Sequence, residues 1–446
     1  MPDFDLLIRG AINLPAIGIS DGKIAALQVG DALEEIDATG LLVLPGVIDS
    51  HVHFNEPGRT EWEGVATGSR ACAAGGTTTF FDMPLNSNPP VIDGAAFDLK
   101  RAAFEGNSFV DFALWGGLVP GNLEHIEALH DRGVVGLKAF LSDSGIPEFP
   151  KIDAMTLRAG MKRAATLDLL VAVHAEIDHP ELRRGSSIAD YLASRPIAIE
   201  LEAIRLALDL AGETGCALHV VHVSSAAGVR LIAEARAHGV DVTCETCPHY
   251  LVLNEDDLAQ LGAIAKCAPP LRPECERRAL LDAVATGQVQ TLGSDHSPAP
   301  MSMKTDADFF KAWGGISGGQ HLLALLLDLG MSSELIASLT AANVADRFGF
   351  AATKGQLQPG LDADLLLIDL KECTSVTPEL LHYRHRHSPY IGRELRACVV
   401  RTILRGQTIH LDGELIGEPR GRFLSPRGGI AEFRSTPAEH MAKRNE

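Results

Sequence analysis

The feature that most constrains the fold is a regular alternation of short apolar runs with longer segments of helical periodicity. Eight runs are nearly continuous in apolar residues, as expected for strands that are buried on both faces. Between them, apolar residues recur every three to four positions, as in residues 197–213. Strands that alternate with helices predict a parallel sheet, and eight of them predict a (β/α)8 barrel of the TIM type. The runs are 43–49, 77–83, 109–117, 134–140, 169–174, 217–223, 240–246 and 289–295.

Both ends of the chain differ from this pattern. The first 46 residues contain short strand-like runs separated by turns, and Asp21-Gly22 is a hairpin signal. Similar runs follow the barrel at 363–370 and 397–415. We therefore predict an α/β protein in which the two ends form one small β-sandwich domain beside the barrel. The chain becomes polar after about Gly428, where we expect it to fray. The predicted division is 1–46, the N-terminal half of the small domain; 47–350, the barrel; and 351–446, the C-terminal half with the polar tail.

Charge and composition limit the partners. The 446 residues contain 39 Lys and Arg against 58 Asp and Glu, a formal net charge of −19. Such an acidic chain is a poor partner for nucleic acid or an anionic membrane. No apolar run approaches the length needed to cross a bilayer, and the acidic N-terminus lacks the features of a signal peptide. The eight cysteines show no disulfide pattern of a secreted protein, so we expect a cytoplasmic protein.

Two histidines stand one residue apart at the end of the first run. In a strand, residues i and i+2 point to the same side, so His51 and His53 would converge at the mouth of the barrel. Active sites of such barrels lie at this C-terminal end of the strands. Packing explains an isolated H-x-H pair as readily as metal binding does. The other predicted strand ends strengthen the case, because strands 4, 5, 6 and 8 supply Lys138, His174, His222 and Asp295.

A lysine among these residues requires a chemical explanation. An ammonium group has only donors and cannot bind a cation. Buried beside metal ions, the Lys138 amine would become neutral through desolvation and like-charge repulsion. A neutral amine can take up CO2 to form a carbamate (N6-carboxylysine), an anion able to bridge two metal ions. We therefore predict two divalent cations, one held by His51 and His53 and the other by His174 and His222. These nitrogen and oxygen donors suit Zn²⁺, with Co²⁺ or Mn²⁺ as alternatives.

Asp295 completes this hypothesis. Two adjacent divalent ions would produce a bridging hydroxide at neutral pH and polarise a substrate carbonyl. We predict that Asp295 is both a metal ligand and the general base, which takes the proton of the hydroxide and passes it to the leaving nitrogen.

At this point a family resemblance is evident. The chain resembles the amidohydrolase superfamily, in the cyclic-amidase branch with a carboxylated lysine that includes dihydroorotases, dihydropyrimidinases (hydantoinases) and allantoinases. The resemblance covers nearly the whole chain and is strongest to the allantoinases. It implies hydrolysis of the cyclic amide of allantoin to allantoate in purine catabolism, by a homotetramer. The branch motifs are GVIDSHVH (46–53), GLKAF (136–140), HAE (174–176), HVSS (222–225) and GSDHSP (293–298), and the allantoinase-like segments are 53–64, 74–90, 245–251, 265–272, 313–320 and 385–395.

Departures from the sibling families shape the substrate prediction. Asn55 stands where dihydroorotases commonly carry an Arg for a substrate carboxylate, and Asp143 stands where hydantoinases place an oxyanion-donating Tyr. These departures disfavour both sibling families, and a hydantoinase or dihydropyrimidinase is kept as the alternative activity. A non-catalytic oligomeric scaffold, which would have lost metal ligands, is disfavoured because every ligand position is filled. The predicted substrate contacts are Asn55, Arg59, Asn86, Ala268 and Ser317.

Other histidines have two interpretations each. His249 could touch substrate or pack behind the site. His296 could orient groups at the mouth or face the opposite side of its strand. The cluster His382, His385 and His387 has the spacing of a metal motif, but the neighbouring arginines favour a solvated or interface loop.

Overall fold

Eight parallel strands form the centre of the molecule in the computed structural model, which describes residues 2–426. The predicted fraying after Gly428 therefore lies outside the described residues. Strands 1 to 3 pair in one sheet. The end of strand 3 pairs with strand 4 in a second sheet, which continues in order to strand 8. A parallel bridge between Val52 and His296 connects the first strand to the segment after the last. In chain order, barrel strands 1 to 8 are Val47–Val52, Thr77–Asp82, Asp111–Leu114 with Gly116–Gly117, Leu137–Phe140, Val171–His174, Leu218–Val220, Val242–Thr246 and Thr291–Leu292.

Helices separate the strands and confirm the predicted (β/α)8 barrel. Several helices begin at side chains that accept a bond from the free backbone N–H three residues on, as Asp93, Asp153 and Ser225 do. Within the described residues, none of the helices is long and apolar enough to span a bilayer. The α-helices are Val65–Ala74, Gly94–Phe104, Ile126–Asp131, Ala154–Ala165, Ile188–Ser194, Ile197–Thr214, Ala226–Ala237, Pro248–Val252, Glu255–Leu261, Glu274–Ala285, Leu322–Asp328, Ser333–Ala337 and Asn343–Arg347, with a π-helical turn at Ser338–Ala342.

Apolar side chains fill the barrel interior. Phe81, Trp115, Leu170 and Phe348 are buried in one cluster there. The Trp115 indole N–H also donates to the carbonyl of Ser50 at 3.0 Å, which ties the packed interior to strand 1. This filling is typical of eight-stranded barrels and leaves the C-terminal ends of the strands for polar side chains.

Two further sheets, one with four strands and one with five, form the β-rich part of the fold that the sequence predicts. They share a core that includes Ile8, Ile17 and Leu367. Asp21 and Gly22 have φ values of 52° and 74°, as a type I′ hairpin turn requires, so the hairpin prediction is confirmed. In spatial order, the four strands are Lys23–Ala26, Ala16–Ser20, Phe4–Arg9 and Ala32–Asp37, the five are Glu414–Leu415, Gln407–Leu411, Cys398–Leu404, Leu365–Asp369 and Leu42–Pro45, and a separate short pair is Thr374–Ser375 with Glu394–Leu395.

The apolar run at 43–49 divides between two sheets, so its prediction as one strand is wrong. Leu42–Pro45 pairs antiparallel with Leu365–Asp369, whereas Val47–Val52 pairs parallel with barrel strand 2. Only Gly46 lies between them, and a Cβ atom there would lie 2.1 Å from Thr78 Oγ1. A continuous apolar run gives no sign of a change of sheet, because both parts are buried.

Candidate metal centre

The six side chains predicted to bind metal come together at the mouth of the barrel. Each is placed by its strand, either within it or one to three residues beyond its end. All except Lys138 are among the residues that line a cavity of about 500 Å³. The residues are His51, His53, Lys138, His174, His222 and Asp295.

His51, His53 and Asp295 form the first half of the site. The Nε2 atoms of the two histidines lie 3.3 and 3.4 Å from Asp295 Oδ1, and the three groups could share one cation. Burial raises the pKa of the Asp295 carboxyl, but the positive field of His51 and the hydrogen bond from His53 outweigh it and lower the pKa to about 2. Asp295 is therefore an anion at neutral pH, which suits both a ligand and a base.

His174 and His222 form the second half. His174 Nδ1 lies 3.1 Å from His222 Nε2, and the His222 ring centroid lies 5.4 Å from that of His51, so the two halves adjoin. Burial lowers the pKa of both His174 and His222. Both are consequently neutral imidazoles, the form that coordinates metal ions.

Lys138 is fully buried at this centre. Its Nζ has no hydrogen-bond partner among residues 2–426. Burial lowers the pKa of the Lys138 amine to about 7, despite the opposing charges of Asp295 and Glu245. A buried amine without partners is costly, so this atom fits a site that another group completes. Together with four imidazoles and one carboxylate, it fits the dinuclear centre predicted from the sequence.

A buried carboxylate also supports His51. Glu245, near the end of strand 7, accepts a bond of 2.7 Å at Oε1 from His51 Nδ1 and one of 2.6 Å at Oε2 from Ser50 Oγ. The first bond places the His51 proton on Nδ1, so Nε2 is free to face the centre.

Glu176 supports His174 in the same way. It accepts a bond of 2.9 Å from His174 Nε2, which leaves Nδ1 facing the centre, and Arg195 donates to it at 2.5 Å. Burial raises the pKa of Glu176, but Arg195, His174 and Arg272 together outweigh this effect, and the pKa falls to about 2. The sequence analysis did not identify Glu176 or Glu245. Glu176 follows His174 by two residues, which is the spacing that identified His51 and His53.

The backbone is strained where the site is built. His222, Asp295 and Asn86 have φ values of 39°, 46° and 70°, in the left-handed region that side chains other than glycine rarely adopt. Such residues concentrate at functional sites, where the surrounding structure holds them in place.

Two of the five predicted substrate contacts line the cavity, namely Asn86 and Ala268. Asn86 Nδ2 lies 3.3 Å from His53 Nδ1, so this amide also contacts the metal-binding residues. The segment of Ala268 is fixed by Tyr191, whose hydroxyl donates to the Cys267 carbonyl at 2.7 Å.

The other three lie outside the cavity lining. Within residues 2–426, Asn55 is buried and donates to the carbonyl of Pro298 at 3.3 Å. Arg59 donates to the main-chain carbonyl of Asn86 at 3.1 Å. Ser317 is buried, and its hydroxyl bonds to none of the described residues. Arg59 thus supports the cavity wall through Asn86, and the substrate contacts predicted for these three residues stay predictions.

The remaining histidines differ in their surroundings. His249 is buried, neither of its ring nitrogens has a partner in the described part of the chain, and burial lowers its pKa to about 4. His296 Nδ1 accepts bonds from two backbone N–H groups after strand 8. His385 and His387 donate to carbonyls of neighbouring loops, so their ring nitrogens serve loop structure.

A loop that the sequence analysis marked only in part, through the segment 313–320, forms another side of the cavity. It follows strand 8, and Phe310, Trp313 and Gly315 of this loop line the cavity. Arg183 contacts the Phe310 ring, with its guanidinium carbon 4.3 Å from the ring centroid. The cavity is therefore lined both by candidate metal ligands at the strand ends and by an irregular loop.

Known proteins resemble this chain along nearly its full length. Residues 42–409 match the amidohydrolase family. The chain is 53% identical to the allantoinase of Rubrobacter xylanophilus, over 96% of this chain and 99% of that protein. It is 52% identical to the allantoinase of Solibacter usitatus, over 94% of each chain. A solved structure, the L-hydantoinase (dihydropyrimidinase) from Arthrobacter aurescens, has a TM-score of 0.91 and 34% identity over 95% of this chain and 100% of that one. The chain therefore belongs to the amidohydrolase family.

Proposed function

We propose that this protein hydrolyses the cyclic amide of allantoin, which opens the hydantoin ring and yields allantoate in purine catabolism. The observation that carries the proposal is the 53% identity to an allantoinase over nearly the full length of both chains. The convergence of six ligand-type side chains on one cavity supports it, because opening a stable amide ring requires an activated water molecule.

We assign two divalent cations to this centre, Zn²⁺ first and Co²⁺ or Mn²⁺ as alternatives. His51 and His53 would hold one, His174 and His222 the other, with Asp295 as a further ligand. Lys138, carboxylated by CO2, would bridge them, which the unpartnered amine with its lowered pKa supports. When bound, the cations would polarise the ring carbonyl and make water acidic at neutral pH.

The protein side chains carry out the proton transfers. Asp295, an anion at pH 7, takes a proton from the attacking water and delivers it to the ring nitrogen as the C–N bond breaks. The carboxylic acid that forms loses the second water proton to solvent at neutral pH, so the products are a carboxylate, a free ureido N–H group and one released proton, and atoms and charge balance. Glu176 and Glu245 keep His174 and His51 in the ring orientation that the centre needs.

The same proposal includes the domain division, the oligomeric state and the cellular location predicted from the sequence. We propose residues 47–350 as the catalytic barrel, with 1–46 and 351–446 as the halves of the small domain. We further propose a homotetramer in the cytoplasm, which sedimentation of the purified protein and fractionation of cells would test.

A second candidate activity follows from the solved structures. They include hydantoinases and dihydropyrimidinases, among them the dihydropyrimidinase from Brevibacillus agri at a TM-score of 0.87 and 30% identity. Against this candidate, Asn86, Asp143 and Ser144 are among the residues that line the cavity, and their polar groups offer hydrogen bonds to a ureido group that an alkyl group would leave unused.

Parallel assays of metal-loaded protein would separate the candidates. We expect hydrolysis of allantoin, with dihydrouracil, plain hydantoin and dihydroorotate at least ~100-fold lower in kcat/KM, because a substrate that lacks the ureido group leaves polar atoms of the site unpaired. Protein treated with a chelator is the control. A higher kcat/KM for dihydrouracil or a 5-alkyl hydantoin would overturn the allantoin assignment and favour the second candidate.

A further inference from the structure

The loop after strand 8, which lines the same cavity as the candidate metal ligands, has no regular structure of its own. We call residues 305–315 the strand-8 loop; it contains neither helix nor strand. Phe309 and Ala312 are buried, at 7% and 2% exposure. Buried carbonyl groups in such a segment need donors from elsewhere in the protein.

Lys266 supplies three of these donors. Its side chain is only 5% exposed. Its Nζ donates to the carbonyls of Phe309 at 2.6 Å, Phe310 at 3.3 Å and Ala312 at 2.5 Å. An ammonium group has three N–H donors, so all three are used by the loop. Although Lys266 lies beside the cavity, no donor is left for a substrate.

Lys304 supplies donors from the other side. It is 6% exposed, and its Nζ donates to the carbonyls of Ala263 at 3.1 Å, Trp313 at 3.3 Å and Gly315 at 2.8 Å. Lys266 thus reaches from the segment after strand 7 into the strand-8 loop, and Lys304 reaches back. A backbone bond of 2.7 Å from Gly315 N to the carbonyl of Lys266 joins the same two segments.

Neither lysine is placed by an ion pair. Within residues 2–426, no carboxylate oxygen lies within 4.0 Å of either Nζ. Two buried lysine side chains are therefore held by carbonyl groups, and in the case of Lys266 also by the rings of Tyr191 and Phe309, an arrangement that costs desolvation and that a simpler loop would not need. The five loop carbonyls they bind belong to the stretch that lines the cavity.

We propose that Lys266 and Lys304 are positioning residues that fix the strand-8 loop as the cavity wall and thereby set which ring substituents are accepted. The scissile amide must lie at the metal-binding residues, whose ring orientation is held by Glu176 and Glu245 independently of this loop. The substituent on the ring then faces the walls. The choice of substrates for the test rests on the proposed function, whereas the positioning role rests on the lysine contacts.

The test replaces each lysine by methionine, which has similar length and no N–H donor. In Lys266→Met and Lys304→Met we expect backbone amides of residues 305–315 to exchange hydrogen at least ~10-fold faster. We expect KM for allantoin to rise at least ~10-fold while kcat changes less than ~3-fold, and KM for unsubstituted hydantoin to rise less, because the misplaced wall contacts the substituent. Lys162→Met, an exposed lysine on helix Ala154–Ala165, is the matched control.

Unchanged exchange in the loop would overturn the proposal, as would an equal rise in KM for both substrates. A fall in kcat accompanied by loss of bound metal would also overturn it, because the lysines would then serve the whole site. If Lys266→Met does not fold, Lys304→Met and Lys266→Gln, which keeps an N–H donor, provide the same comparison. If the wild-type protein does not hydrolyse allantoin, the proposed function fails, and the exchange measurement alone decides the positioning role.

Discussion

Two buried lysines at opposite ends of the barrel, Lys354 and Lys138, differ in whether their amines have partners. At the N-terminal end of the strands, Lys354 donates to Asp111 at 2.8 Å and also to Asp364. Burial alone would lower the pKa of the Lys354 amine, but Asp364 and Asp111 outweigh it and raise the pKa above its ordinary value. At the mouth, Lys138 has no bonded partner among the described residues, and burial lowers its pKa to about 7.

This difference separates a structural role from a chemical one. Asp111 begins barrel strand 3 and Asp364 precedes a strand of the five-stranded sheet, so the paired Lys354 joins the barrel to that sheet. Paired buried charges of this kind hold elements together and are damaging to break. Unpaired ones, such as the Lys138 amine, cost stability unless a ligand completes them. We therefore expect substitutions at the mouth to affect activity and substitutions at the opposite end to affect stability.

The largest effect is expected at Asp295. Asp295→Asn keeps the shape of the side chain but cannot carry the proton, so kcat should fall by about 10²–10⁴-fold. Steady-state kinetics of the metal-loaded variant measures this, with Asp209→Asn on an exposed helix surface as control. Near-normal turnover would show that the base lies elsewhere, and His249 would then be the next residue to test.

The second-largest effect is expected for Lys138→Ala. Loss of the bridging group should lower activity by more than ~100-fold. Removing a residue that only supports a metal ligand lowers activity by up to ~100-fold, and Lys138 is proposed as a ligand itself. Added acetate or propionate should restore part of the activity, since a carboxylate can occupy the position of the carbamate. Metal analysis should find less than two cations per chain before rescue. Full activity without rescue would contradict a bridging role for Lys138.

Lys354→Met should leave kcat within ~3-fold but lower the free energy of unfolding by about 3–5 kcal/mol, because Asp111 and Asp364 remain buried without it. Urea unfolding near pH 8 measures the loss. The folded pKa of Lys354 is raised, so its stabilisation is complete below the unfolded pKa of about 10.4 and disappears only as the pH rises through the folded value. Equal stability of variant and wild type at pH 8 would remove the contrast between the two ends.

The smallest effect is expected at Glu245, which holds His51. Glu245→Gln should weaken metal binding by about 10–100-fold, because the amide fixes the imidazole less firmly. Bound metal after dialysis against a graded chelator series measures this, and activity at saturating metal should largely return. Glu234→Gln, on the exposed face of a helix, is the control. Unchanged affinity would assign Glu245 to packing alone.

The sequence predicted the features that rest on a repeating pattern of residues. It missed the features that depend on contacts between residues far apart in the chain. Apolar runs at regular intervals predicted the barrel, because strands buried on both faces have a distinctive composition. The alternation of side chains along a strand predicted the convergence of His51 and His53. The bonds of Lys266 and Lys304 to the strand-8 loop join segments without periodicity, so no local pattern marked them. The change of sheet at Gly46 was hidden because both sides of it are apolar.

That single glycine also has a consequence for the order in which the chain folds. Leu42–Pro45 lies early in the chain, but its partner strand, Leu365–Asp369, lies more than 300 residues later, with Leu42 opposite Ile368. During synthesis, the segment at 42–45 therefore has an unpaired edge until most of the barrel has been made, while Val47–Val52 can already pair with strand 2. Such long-range pairing is slow to form and exposes strand edges meanwhile. We expect the nascent chain to depend on chaperones until about residue 370 has left the ribosome, with the barrel assembled before the outer sheet that adjoins its first strand.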